Sequence, residues 1–170
     1  MAIFMVAGTT STVMAQKTAT ATSPAGAKIV AVLTIANDQK LDFGTMSIPN
    51  ADVQVTLTTS TIRNPDKPLN IALMSDPVLN AHYNVTGANG YLYNITFPTV
   101  GTTTIASGSN SMHIDAFTAK PKSRGTDVSQ GTLDATTGKD DFVVGATLKL
   151  LSGQPAGIYT GSFDVVVAYN

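Results

Sequence analysis

Two histidines are the first residues in this sequence able to carry acid–base or metal chemistry near neutral pH: His82 in "NAHYN" and His113 in "SMHIDAF". They stand on separate segments, and no His-x-x-x-His spacing supplies a zinc-ligand pair. Each reads as an ordinary polar strand or loop histidine. Asp140 and Asp141 are adjacent carboxylates, and neighbouring side chains of a strand or turn diverge, which argues against paired acid–base work. The surrounding "TGKDD" lacks the ligand spacing of an EF-hand loop and reads as a turn. Neither a Gly-x-Ser-x-Gly elbow nor a phosphate-binding glycine loop occurs. The chain has no cysteine, so thiol catalysis, disulfides and cysteine-based zinc sites are excluded. Asn84-Val85-Thr86 and Asn94-Ile95-Thr96 match the glycosylation sequon but read as strand residues. These residues predict no enzyme, no cofactor and no metal centre.

The elements that would position such side chains are β-strands. Of 170 residues, only 12% are charged while 43% are hydrophobic, against about 25% charged in an average globular protein. The polar surface must therefore be built from Thr, Ser, Asn and Gly, and there are 25 threonines, a β-branched type that favours strands. A net charge of −1 gives no electrostatic case for nucleic acid or an anionic membrane. The one basic cluster, Lys120, Lys122 and Arg124 in "AKPKSRG", has no interleaved aromatic residue and reads as a solvated loop. The length suits one domain.

Period-two alternation recurs along the chain. "DVQVTLT" puts Val53, Val55 and Leu57 on one face, and "LNIAL" offers Leu69, Ile71 and Leu73. "YLYNITF" aligns Tyr91, Tyr93, Ile95 and Phe97; "DFVVGATLKL" aligns Phe142, Val144, Ala146, Leu148 and Leu150. "GANG", "VGTTTIASGSNS" and "TTGKDD" between them have turn or loop composition. No stretch has a 3.6-residue apolar period, so helices should be few and short. The pattern predicts an all-β sandwich.

At the N-terminus, the apolar run Ala2 to Ala7 and the small or β-branched residues of Val13-Met14-Ala15 resemble the end of a secretory signal peptide. Residues 1–15 are expected to be its remnant, with export and a mature chain beginning at Gln16. The run is too short to span a bilayer. Residues 16–26, "QKTATATSPAG", read as a loose extended arm carrying Ala19, Ala21 and Ala25. The domain proper is expected over 27–170, with a first strand near 27–36.

The closing stretch, "SGQPAGIYTGSFDVVVAYN", alternates most regularly. Tyr159, Gly161, Phe163, Val165, Val167 and Tyr169 share one face; Thr160, Ser162, Asp164, Val166, Ala168 and Asn170 share the other. A one-residue slip would bury Asp164 and expose Phe163, which fixes the register. Left at an open edge, such a strand invites pairing with another chain. With Tyr169 penultimate and Gly157 fourteenth from the end, this stretch resembles the C-terminal strand of chaperone–usher pilins. Residues 18–170 also resemble bacterial surface proteins related to spore-coat U and archaic pilins. The stretches that carry this likeness are "TATAT", "LDFGTMSIP", "YNVTG", "GTLDATTG" and the terminal run.

The resemblance implies an immunoglobulin-like sandwich lacking its last strand. A periplasmic chaperone would lend that strand, and an outer-membrane usher would promote its replacement by the arm of the next copy. The product would be a fimbrial homopolymer at the cell surface. Gly157, Tyr159, Gly161, Phe163, Val165, Val167 and Tyr169 would then line the acceptor groove, and Ala19, Ala21 and Ala25 would lie on the donor. The alternative is a self-complete, surface-displayed sandwich binding a sugar or protein ligand. Alanine anchors favour it, since they add little to backbone pairing, whereas a buried large aliphatic side chain contributes about 1.5–3 kcal/mol.

Overall fold

The computed structural model describes residues 18–170, so the expected signal-peptide remnant 1–15 and the start at Gln16 lie outside the described residues. In chain order the strands are β1 (Thr34–Gln39), β2 (Val53–Leu57), β3 (Arg63–Pro65), β4 (Ala81–Thr86), β5 (Leu92–Thr96) and β6 (Thr103–Ser107). They continue with β7 (Asn110–Pro121), β8 (Gln130–Thr132), β9 (Lys139–Leu150), β10 (Thr160–Gly161) and β11 (Val166–Tyr169). The one helical element among the described residues is a 3-10 turn at Pro68–Asn70. The protein is all-β and sandwich-like, as its composition and alternation require.

Strand β9 organises the larger sheet. Its inward row Phe142, Val144, Ala146 and Leu148 is at most 1% exposed, and Leu150 is 5% exposed. The first half of β9 pairs with β4, the second half with β2, and its other edge with β7. The order β1-β4-β9-β7-β6-β10 follows, with β3 attached through β2. A second, three-stranded sheet runs β11-β5-β8. All pairings are antiparallel. One core cluster gathers Val53, Val55, Leu57, Met112, Ile114 and Leu148; the other gathers Tyr83, Val85, Tyr93, Ile95, Leu133 and Phe142. Phe117 packs against both.

Several strands lie where alternation places them, among them β2, β5 and β9. Four expectations are corrected. The first strand begins at Thr34, because Thr34 pairs with Thr86, the last residue of β4, and no β4 residue is left to pair with anything before it. Residues 27–33 belong to no strand, and Ile29 and Val32 are 95% and 81% exposed. "LNIAL" is not a strand: Pro68 cannot donate to a ladder and starts the 3-10 turn, Leu69 is 96% exposed, and Leu73 makes a single bridge to Met46. "VGTTTIASGSNS" is not all loop, since it contains β6 and the start of β7. In the basic cluster, Lys120 and Pro121 continue β7, and the turn follows them.

A β-bulge interrupts β7. Its register against β9 shifts between Asp115 and Thr118, and Ala116 takes a positive φ of 49°. The extra residue re-aims the strand, and Phe117 between the two cores stacks with Phe97 at 5.5 Å and tilts against Phe163 at 4.7 Å.

Candidate functional site

The C-terminal stretch keeps its expected faces but is not one strand. Thr160 and Gly161 pair with Ala106 and Ile105 of the large sheet, whereas Val166–Tyr169 pairs with Thr96–Tyr93 of the small one. The chain therefore crosses from one sheet to the other over residues 162–165. The alternation persists through the crossing. Tyr159, Phe163, Val165, Val167 and Tyr169 are partly buried, and the residues between them are exposed.

Each expected groove residue has a definite place. Gly157 lies in the exposed loop before β10. Tyr159 packs on the first core, donates its hydroxyl hydrogen to the Pro155 carbonyl at 2.8 Å and accepts from Gln154 Nε2 at 2.9 Å. Gly161 sits in β10, and Phe163, Val165, Val167 and Tyr169 pack on the second core. None of these side chains reaches the full burial of the β9 row.

Beside them runs a groove of about 200 Å³. One wall is Asn37, Lys40 and Leu41 at the end of β1; the other is Gly161, Ser162 and Phe163. Tyr83, Ile105 and Ile114 contribute to its lining. Strands β1, β10 and β11 each pair on one side only among the described residues. Strand edges with no neighbour and a partly buried apolar face therefore lie close together.

The penultimate tyrosine performs a task that spacing alone did not reveal. Tyr169 Oη accepts the Ala88 N–H at 2.6 Å and donates to the Ala31 carbonyl at 2.8 Å. Its ring meets Tyr91 edge-on at 5.5 Å, and Lys28 Nζ lies 4.9 Å from the centre of the Tyr91 ring. A Cβ on Gly87 would lie 2.3 Å from that hydroxyl, so glycine is required there by close approach. The chain's end thus ties down the root of its N-terminal arm. Above the root, Ala19, Ala21 and Ala25 are exposed and belong to no strand. Leu33 and Ile35 pack into the second core, leaving Ile29 and Val32 as the large apolar side chains most open to solvent on the arm.

The candidate chemical residues separate. Asp140 accepts from Tyr93 Oη at 2.9 Å and Ser123 Oγ at 2.6 Å, while Asp141 faces His82 and Lys122. The adjacent carboxylates do diverge. Tyr93 is held protonated well above the usual phenol range by its burial, then by Asp140. In the turn before β9, Asp134 accepts the Thr136 and Thr137 amides, and these bonds hold its carboxyl below the usual range. Sequence reasoning missed the company His82 keeps, because Asp38 and Asp141 are remote from it in the chain and meet it only through strand pairing. No group of three or more His, Asp or Glu side chains suited to a metal occurs among the described residues.

A family model described as a domain of unknown function (DUF4402) matches residues 33–169. Searches of curated proteins and of solved structures returned no match.

Proposed function

We propose, for a chain that belongs to the DUF4402 family, that it is an exported structural subunit of a bacterial surface fibre with an incomplete immunoglobulin-like sandwich. Its groove takes an extended strand from a neighbouring copy. The observation that carries this reading is the partly buried C-terminal face beside the groove between β1 and residues 161–163. An added strand would complete backbone pairing along open edges and cover Phe163, Val165 and Val167. Each ladder hydrogen bond contributes only about 0.5–1.5 kcal/mol net, so side chains must supply the rest.

The donor consists of more than the alanines. Leu33 and Ile35 are committed to their own subunit's core, which leaves Ile29 and Val32 to add apolar area to the donated segment. A chaperone holding the groove before assembly and an usher passing subunits outward complete the proposal.

The test is to shear surface material from producing cells and run it unboiled and boiled on a denaturing gel, probing for this chain. A ladder that collapses to monomer on boiling is expected, together with its loss on deletion of residues 18–30. An undiminished ladder from the deleted chain would overturn the donor assignment.

A further inference from the structure

On the outer face of the large sheet, four elements meet at one histidine. Asp38 of β1 contacts His82 Nδ1 of β4 at 2.6 Å, and Asp141 of β9 lies 3.4 Å from His82 Nε2. Asn84 Nδ2 donates to the second Asp38 oxygen at 2.8 Å, and Lys122, just past β7, reaches the second Asp141 oxygen at 3.2 Å. Lys120 of β7 shares the pairing row of His82 through Val143, and Lys40 is engaged by Asp42 at 2.7 Å. The two carboxylates sit on opposite ring nitrogens, so the cluster is a bridge rather than a ligand set. Only a doubly protonated imidazolium can donate to both.

We propose that the Asp38–His82–Asp141 bridge is a pH-dependent latch that fastens edge strand β1 to the body of the sheet. This goes beyond fibre assembly and holds whatever the groove receives. Asp38 is the only member of the bridge on β1, and it lies where the β1–β4 register slips between Asn37 and Gln39. The slip interrupts the backbone ladder there. Asn37 Nδ2 on the His82 carbonyl and Gln39 Nε2 on the Asn80 carbonyl also hold this end. Neither titrates, so protonation modulates the docking of β1 instead of deciding it.

The sign follows from linkage. Burial opposes charging His82, but its bonds to Asp38 and then Asp141 outweigh burial and raise its pKa above 6.5. The His82 bond, then the Asn84 bond, lowers Asp38 below 3.8. The His82 contribution is fully present below pH 6.5 and is lost as pH rises through the raised value. The Asp38 contribution is present above pH 3.8 and is lost as pH falls through its lowered value. Because undocking β1 removes Asp38 from the ring, protonation and docking favour each other reciprocally. Each pKa unit that depends on docking changes the docking equilibrium about tenfold.

The full chain is tested in two ways. NMR titration of His82 is expected to give a pKa above 6.5 that falls towards it in Asp38→Asn; equal values in the two proteins would overturn the latch. Because the chain lacks cysteine, Ile35→Cys makes a single thiol reporter on β1, and Ala119→Cys, in a separate protein, a buried one on β7. Thiol labelling, normalised to the denatured chain at each pH, should rise several-fold for the β1 reporter from pH ~6 to ~8.5, up to about tenfold per linked pKa unit. The β7 reporter should not change, and His82→Gln should flatten the response of the β1 reporter. A β1 response that persists in His82→Gln, or a β7 response of equal size, would refute the proposal. If Ile35→Cys does not fold, the unlabelled chain should lose thermal stability over that range while His82→Gln does not; parallel curves would refute it.

Discussion

Replacing Phe163 by alanine separates an unfinished core from a finished one. Truncating a fully buried phenylalanine costs about 3–5 kcal/mol. Phe163 lies against Phe117 at 4.7 Å but retains an open side towards the groove. Its loss should therefore cost the isolated subunit less, about 2–3 kcal/mol. At about 2–4 °C per kcal/mol for a chain of this size, the midpoint should fall by about 4–12 °C. The assembled form should suffer more, because a donated strand would cover the open side and make the ring fully buried there. Urea unfolding of monomer and the heat at which the unboiled ladder collapses measure the two costs separately. A monomer penalty at the top of the fully buried range, with no added loss in the ladder, would mean that the core is already complete. Unimpaired fibres from Phe163→Asp would remove the groove assignment altogether.

Other outcomes follow from single contacts. Tyr169→Phe removes the hydroxyl that joins Ala31 to Ala88; it should cost about 1–3 kcal/mol and raise amide exchange at the arm root, as hydrogen-exchange mass spectrometry would show. Ala116→Gly should leave stability unchanged or raise it by up to about 1 kcal/mol in urea melts, because relief at φ 49° offsets the entropy of glycine. Gly131→Ala would place a Cβ 2.3 Å from the fully buried Tyr93 ring, and should cost about 1–3 kcal/mol or prevent folding.

What the sequence made legible was pattern over strands with one buried face. Val53-Val55-Leu57, Tyr93-Ile95 and the Phe142–Leu150 row all lie inward as their spacing requires. Pattern fails where pairing decides. "KIVAV" looks like a strand, yet β4 ends at Thr86 and offers residues 28–32 no ladder. The final stretch looks like one strand, yet its two halves belong to different sheets. The roles of Tyr169 and His82 depend on partners 81 and 44 residues away, respectively, and no local window contains them. The bulge at Ala116 carries no glycine to announce it.

Within the proposed reading, residue arithmetic bears on whether the arm fills its own groove or a neighbour's. The groove wall at β1 is Asn37 to Leu41. If the arm folded back antiparallel on β1 through a turn at Ala25-Gly26, residue 14 would face Asn37 and residue 10 would face Leu41. If the exported chain begins at Gln16, as the proposed reading has it, it has neither residue. To reach Leu41 from residue 16 or later, the turn must centre between Lys28 and Ile29 or beyond, in a stretch with Ile29 and Val30 and no Gly, Asn, Asp or Pro. The Ala31 carbonyl there is already held by Tyr169. A parallel return needs a crossover of about a dozen residues, which would consume most of the segment. On that proposed start, the arm would be poorly placed to serve its own subunit and free to serve another. A chain lacking residues 18–30 should accordingly be stabilised by a peptide of residues 18–32 supplied in trans, with a saturable rise in melting temperature. No shift at any peptide concentration would show that the arm and groove are not complementary.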